Sequence, residues 1–349
     1  MTNPNILIFR IGSMGDTLIS LPLFRKIRAT YPTAHISLLT NFSVGIKACP
    51  MSLMIDELNV VDAYLEYPIN AQELSVFIKL KSKIKQLNID TLIYLMPKRS
   101  PLQLIRDLLF FKLCGIKTII GLNINSYYQE RHYDDFKGIW EHELVRLSKL
   151  IYVLGPIAIE QTSTWKMPVN AKHHLAINPH LKQITSPYLV FSLGTKADTK
   201  DWGQDRWAAL IQKLASSYSR YSLVVIGSDD EFVISQATLK HWPTLSLNLC
   251  GKLSPLESAA VLEKATLFIG HDSGPMHLAA SVLTPVVAIF SAINKPGEWY
   301  PLGTNHTVIY HQTECFGCGL TICVEKKKQC IRSITVDEVF DAIQAKLLV

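Results

Sequence analysis

Two distant parts of this chain repeat one order: a short apolar run, a glycine, a loop and a helix-spaced segment. Residues 5–11 form the first run, ending at Gly12, as a strand buried on both faces of a parallel sheet does. Gly12-Ser13-Met14-Gly15-Asp16 follows. Leu18, Leu21, Phe24 and Ile27 then recur at helical spacing over 17–30, with Pro32 just beyond. A strand over 35–40 completes a βαβ unit. The pattern continues with a strand at 91–95, a helix at 102–114, a strand at 118–120 and a long helix at 140–154, stopped by Gly155-Pro156.

The order restarts near residue 188. A strand at 188–193 ends in Gly194, a helix spans 205–218, and a strand at 223–226 ends in Gly227. Helices at 257–265 and 274–282 alternate with strands at 267–270 and 285–290, and 335–347 reads as an amphipathic last helix. Strand–helix alternation in both parts gives two α/β halves. A chain of 349 residues is long enough for both. Between them, 160–186 is polar, contains Pro168, Asn170, Asn178 and Pro179, and lacks a clear period. The expected division is therefore a domain over 1–160, a linker over 161–186, a domain over 187–334 and a C-terminal helix over 335–349.

Hydrophobic residues at 48% and charged residues at 18% describe a globular chain, not a disordered one. A net charge of +6 is too mild for a nucleic-acid partner, which calls for dense basic stripes; it suits an anionic small substrate or an anionic membrane surface as well as plain solubility. The most apolar stretch, 108–122, is broken by Lys112, Gly115 and Lys117 and is too short to span a bilayer. Arg10 and Asp16 interrupt the first apolar run, which lacks the basic start of a secretory signal. A cytoplasmic location is expected. Seven cysteines, an odd number, argue against an extracellular disulfide framework.

In doubly wound sheets ligands bind beyond the carboxyl ends of the strands, so the residues just after each strand matter most. After the first strand, Asp16 reads either as a helix cap or as a general base. After 188–193, Gly194 and Thr195 offer N–H groups and a hydroxyl for a phosphate, and Lys200 a point charge; a solvated loop is the plain alternative. Asp229 and Glu231 follow Gly227, where a carboxylate suits a ribose or simply caps the next helix. The richest segment is Gly270-His271-Asp272-Ser273-Gly274-Pro275-Met276-His277. Pro275 fits a first helical turn, the turn's N–H groups suit a pyrophosphate, and Asp272 and His277 flank it.

These segments resemble glycosyltransferase family 9, the lipopolysaccharide core heptosyltransferases. The resemblance rests on the opening run through Asp16, on Lys200-Asp201-Trp202, and on Asp272 to His277 followed by 284–290. It runs in order over most of the chain. It implies a GT-B fold: two facing Rossmann-like domains with the active site in the cleft between them. It also implies an inverting transferase that moves heptose from ADP-heptose to a lipid A-core or similar anionic glycan acceptor, at the cytoplasmic face of the inner membrane with possible peripheral contact.

By matching position, the resemblance makes Asp16 the base on the acceptor hydroxyl. Lys200 steadies the donor phosphates or the leaving group. Asp272 contacts the donor sugar, Ser273, Gly274 and the N–H groups after them hold the pyrophosphate, and Glu231 fits the ribose with Asp229 in reserve. Gly194, Thr195 and His277 complete the expected donor site. No cofactor is expected, since neither Asp198 nor Asp229-Asp230 supplies an Asp-x-Asp metal loop. The chain departs from the family at Met96-Pro97-Lys98-Arg99-Ser100, where relatives tend to carry Gln-Gly; Lys98 and Arg99 are read as acceptor contacts or as a basic surface loop. Cys315, Cys318, Cys323 and Cys330, spaced C-x2-C-x4-C-x6-C, read as a zinc or iron site or as reduced thiols, and some relatives hold iron in such a cluster. The competing readings are a GT-B transferase for UDP- or GDP-sugars and an inactive nucleotide-sugar-binding paralogue. An NAD-dependent dehydrogenase lacks its glycine fingerprint here.

Overall fold

The computed structural model describes residues 3–41, 51–68 and 73–348. The chain divides into two compact units, Met1–Trp165 and Lys166–Val349. In the first unit the order is β1 (Asn5–Phe9), α1 (Met14–Thr30), β2 (His35–Thr40), α2 (Ser52–Ile55), β3 (Ala63–Glu66), α3 (Leu74–Gln86), β4 (Thr91–Tyr94), α4 (Pro101–Leu113) and β5 (Thr118–Ile120). It ends with α5 (Ser126–Gln129), β6 (Tyr133–Asp134), β7 (Ile139–Trp140), α6 (Glu143–Leu150) and α7 (Thr162–Trp165). Among the described residues, β3-β2-β1-β4-β5 form one sheet, parallel at every pairing. Its order reverses between β1 and β4, the switch point where such sheets bind ligands.

The second unit contains α8 (Ala171–Leu181), β8 (Tyr188–Ser192), α9 (Gln204–Tyr218), β9 (Ser222–Val225), α10 (Phe232–Leu239), β10 (Ser246–Asn248), α11 (Pro255–Glu263), β11 (Leu267–His271) and α12 (Gly274–Ser281). It closes with β12 (Val286–Phe290), β13 (His306–Tyr310), α13 (Gln329–Arg332) and α14 (Val336–Leu347). The sheet order is β10-β9-β8-β11-β12-β13, again parallel, with its reversal between β8 and β11.

Local chemistry sets the boundaries. α4, α11 and α14 each begin with a reciprocal cap: Ser100 with Gln103, Ser254 with Glu257, Thr335 with Glu338. In each, a hydroxyl takes the N–H three residues on, and the later side chain takes the cap's own N–H. Inward residues then build a separate core in each unit. Leu7, Phe9, Leu92 and Tyr94 of the first sheet pack with Leu80 and Ile84 of α3 and with Leu104 and Phe111 of α4. Phe191, Trp202, Trp207, Leu210 and Ile343 belong to the core of the second unit.

Three expectations need correction. The helix expected over 140–154 is shorter. Trp140 pairs with Tyr133 in a two-strand antiparallel ladder, and His142 Nδ1 accepts the Leu144 N–H and so starts the helix at Glu143. The expected linker over 161–186 contains α7 and α8, and the boundary between units falls after Trp165. α8 buries His173 and Ile177 against the second unit, where it packs on α11; Pro179 lies inside the helix near its end. The expected C-terminal helix is present as α14, but it is no domain of its own, since its Val339 and Ile343 lie in the second core. The sequence reading also omitted β3, α3, α10, β10 and β13.

Candidate functional site

The candidate residues of each unit collect at that unit's own sheet reversal. In the first unit the chain leaves β1 at Phe9 and turns through Gly12 into α1. Ser13, not Asp16, is the helix cap. Asp16 is the third helical residue, and its Oδ2 accepts from the Ser13 N–H at 2.9 Å and from Ser13 Oγ at 3.0 Å. Its Oδ1 accepts from Arg10 Nη2 at 3.1 Å. A side chain at Gly12 would put its Cβ 2.3 Å from Asp16 Cβ, so only glycine allows this close turn. Asp16 keeps 21% of its side chain exposed, while that of Arg10 has none.

A buried ion network extends from that pair. Arg10 Nη1 donates to the carbonyl of Leu95, just after β4, at 3.0 Å. Glu143 Oε1 and Oε2 accept from Arg146 at 2.6 and 2.8 Å, and Oε2 also accepts from Arg131 at 2.9 Å. Arg146 reaches on to the Met96 carbonyl at 2.9 Å. Burial works to raise the Glu143 carboxyl; its hydrogen bond to Arg146 and the charges of Arg146, Arg131 and Arg10 outweigh burial and hold it below the usual range. The sequence reading missed Glu143 and Arg146. Their i,i+3 spacing was the available sign.

Lys98 and Arg99 separate. Lys98 Nζ meets Glu130 Oε1 at 2.6 Å on the surface. The Arg99 N–H donates to Gln129 Oε1 at 3.2 Å, while its guanidinium turns toward the Tyr94 hydroxyl, leaving Nε buried without a partner. Tyr94 itself donates to Asp107 Oδ2 at 2.7 Å, and burial with this acidic neighbour raises its pKa.

In the second unit, Lys200 ends a single 3-10 turn, Asp198–Lys200. Its Nζ donates to Asp272 Oδ2 at 2.6 Å and to the Asp272 carbonyl at 3.1 Å. An ammonium has three donors, so one is left for a third acceptor. Asn294 Nδ2 also reaches Asp272 Oδ2, at 3.3 Å; the sequence reading had not named it. Ser273 caps α12 from an extended backbone, and its Oγ donates to the His271 carbonyl at 3.3 Å. The His277 N–H is used within the helix, reaching the Ser273 carbonyl at 3.4 Å, and its side chain is buried. Gly274 and Met276 contribute first-turn N–H groups without intrahelical partners, at the positive end of the helix dipole.

Glu231 is brought to the same strand ends. Its carboxylate lies so close to Gly194, just after β8, that a Cβ there would sit 2.1 Å from Cδ. It also lies against Gly227, just after β9, with Thr195 half-buried alongside Gly194. Asp229 turns away and packs on Gly251, beyond β10. Glu231, not Asp229, therefore faces the ends of the central strands.

His271 joins these parts and was not singled out from sequence. It is fully buried at the end of β11; Nε2 accepts the Trp202 N–H at 3.1 Å, and Nδ1 lies 3.4 Å from the Gly194 carbonyl. The proton therefore sits on Nδ1. Burial pushes its pKa down to about 4, so the ring is neutral near pH 7. This neutral bridge ties the turn bearing Lys200 to the strand bearing Asp272.

The profile of glycosyltransferase family 9 (heptosyltransferase) matches residues 109–329, more than half of the chain. The chain belongs to glycosyltransferase family 9. Lipopolysaccharide heptosyltransferase 3 of Escherichia coli (strain K12) is 25% identical over 317 residues, covering 83% of each chain. The family 9 glycosyltransferase structure from Veillonella parvula DSM 2008 aligns with a TM-score of 0.74 and 16% identity over 100% of this chain and 98% of its own. The E. coli heptosyltransferase WaaC with ADP-2-deoxy-2-fluoro heptose aligns at 0.63 and 18% over 98% and 99%. These likenesses identify the fold as GT-B, with two Rossmann-like units. As a family 9 member, the chain is a glycosyltransferase.

The four late cysteines line one small cavity with Thr199, Ala292 and Gln329. The Lys328 N–H donates to Cys323 Sγ at 3.4 Å, and the neighbouring Cys315 and Cys318 join burial in raising the Cys330 thiol. Four thiols are the donor set that zinc or iron takes. As they stand, no three metal-binding side chains among the described residues converge closely enough for one.

Proposed function

We propose that this family 9 glycosyltransferase transfers heptose, with inversion, from ADP-heptose to a lipopolysaccharide-core acceptor. The observation that carries the reading is the Lys200–Asp272 pair beside the α12 N-terminus at the β8/β11 reversal. It combines a cation, helix N–H groups and a carboxylate, the set that a nucleoside diphosphate-sugar requires. Glu231 over Gly194 adds a carboxylate for the ribose hydroxyls. Similarity to a lipopolysaccharide heptosyltransferase over 83% of the chain supports heptose and a core acceptor over other sugars.

In this reading the acceptor hydroxyl attacks the anomeric carbon of the donor. Asp16 takes the hydroxyl proton as the new C–O bond forms, and the bond to the β-phosphate breaks. Arg10 and Ser13 orient the base while Oδ1 retains a second accepting direction. The third donor of Lys200 and the N–H groups of α12 take the charge that develops on departing ADP. Asp272 contacts the donor sugar, Ser273 and Gly274 hold the pyrophosphate beside Thr195 and His277, and Lys98 and Arg99 serve the anionic acceptor. Leaving-group charge is met by these groups, so no dissociable metal enters the reaction and transfer persists in EDTA. The enzyme works at the cytoplasmic face of the inner membrane as a peripheral protein. Among the described residues, no helix is long and apolar enough to cross a membrane.

The deciding assay offers ADP-heptose, UDP-sugars and GDP-sugars with truncated core acceptors and reads the product by mass. A single heptose added from ADP-heptose alone is expected. Transfer from a pyrimidine nucleotide sugar, or none from any donor, overturns the reading.

A further inference from the structure

In the first unit, α3 and α4 pack beside each other, with the rings of Phe77 and Phe110 6.4 Å apart. Their inward residues belong to the core described above. The outward residues of α4 are not those of a solvated helix, and α3 adds two apolar ones among its lysines. On α4, Leu102, Ile105, Leu109 and Leu113 are all exposed, Leu102 at 80%. Their spacing of three, four and four residues sets them in one stripe along the helix. On α3, Leu74 is 75% exposed and Ile78 follows one turn later. Isolated exposed leucines are ordinary, but a stripe of four along one helix, with two more on the helix packed beside it, marks an interaction surface.

The charge around this set is mostly positive, with Glu73 exposed at the cap of α3 as an acid beside Leu74. α3 carries Lys79, Lys81, Lys83 and Lys85 and no acid. α4 carries Arg106 and Lys112, and its one acid, Asp107, is buried and taken by Arg106 and Tyr94. Lys117 is exposed just beyond α4. Aliphatic stripes bordered by lysine are the composition of helices that lie in the interface of an anionic bilayer. Two copies of this chain joined through the face would set lysine rows against each other. A single-stranded nucleic acid would call for aromatic stacking platforms, where this face has leucine and isoleucine.

We infer that the outer face of α3 and α4 rests on an anionic lipid bilayer, with its leucines and isoleucines among the upper acyl chains and its lysines at the headgroup phosphates. The inference deepens the peripheral membrane contact proposed above and does not depend on which sugar is moved.

Sedimentation of the full chain with phosphatidylcholine vesicles, with and without phosphatidylglycerol, tests it. Binding is expected only when phosphatidylglycerol is present, and added salt weakens it. Leu102→Glu with Leu109→Glu lowers that binding roughly tenfold or more. Lys79→Gln with Lys83→Gln lowers it about fivefold per lysine. Both variants keep the ADP-induced rise in melting temperature and wild-type transfer to a lipid-free acceptor, which separates loss of docking from loss of fold. Wild-type protein that ignores phosphatidylglycerol overturns the inference. So does a leucine variant that binds like wild type, or a wild-type dimer that the leucine change splits without any lipid binding. A failed heptose assay beside retained vesicle binding counts against the sugar reading alone.

Discussion

Arg10 Nη2 donates to Asp16 Oδ1 at 3.1 Å from a guanidinium with no exposed surface. The same guanidinium holds the Leu95 carbonyl at the end of the neighbouring strand. Asp16 is thus fixed against the sheet from one side and against Ser13 from the other. A carboxylate held on both oxygens has little freedom to turn, as a base working at one hydroxyl requires.

Asp16→Asn keeps the side chain's size and removes the base. Transfer is expected to fall by about two to four orders of magnitude. The ADP dissociation constant, measured by calorimetry, stays within about twofold, since the proposed donor groups lie in the other unit. Normal turnover in this variant removes Asp16 from the chemistry.

Lys200 and Asp272 touch, so their effects should not add. Lys200→Met and Asp272→Asn, alone and combined, form a double-mutant cycle. A coupling of about 1–3 kcal/mol in urea unfolding is expected. Lys200→Met is also expected to lower kcat by about 10²–10³ if the ammonium meets the leaving phosphate. Singles that add within error, with kcat unchanged, dissociate the pair from both stability and catalysis.

The strand runs and the glycines that end them made the two α/β halves legible, because a strand buried on both faces leaves little choice but aliphatic residues. Asp272, Ser273 and Gly274 were legible for a related reason: a strand-to-helix turn with proline in its first helical turn declares where N–H groups point. Long-range partnerships were not legible. Nothing local pairs Arg10 with Leu95, or Glu231 with Gly194, since β4 and β8 supply those contacts from elsewhere in the chain. α8 was hidden by its polar outer surface and Pro179, because only His173 and Ile177 are buried. Trp140 misled because this aromatic, expected to open the helix, in fact packs at a tilt against Tyr133 across the two-strand ladder, with ring centroids 5.2 Å apart.

Glu143 is in contact with both Arg146 and Arg131. Glu143→Gln takes the carboxylate away from the buried Arg146, and breaking a buried pair from one side costs about 3–5 kcal/mol. Urea midpoints at constant m-value measure the loss. Glu143→Gln with Arg146→Met is expected to recover part of it. A single variant as stable as wild type shows that water compensates the arginines.

His271 gives the pH dependence its sign. Burial lowers its pKa from 6.5 to about 4, so between those values the unfolded chain binds a proton that the folded protein refuses. Stability from the neutral ring is whole above pH 6.5 and drains as the pH falls toward 4. The shift corresponds to roughly 3 kcal/mol over that window. His271→Asn removes the titration along with part of the bridge from Trp202 to Gly194. The variant should therefore be weaker at pH 7 yet lose less than wild type on going to pH 5, as read from paired urea melts. Parallel stability curves for the two proteins across that window would mean that His271 is protonated in the folded state, and the neutral bridge beneath Lys200 would have to be abandoned.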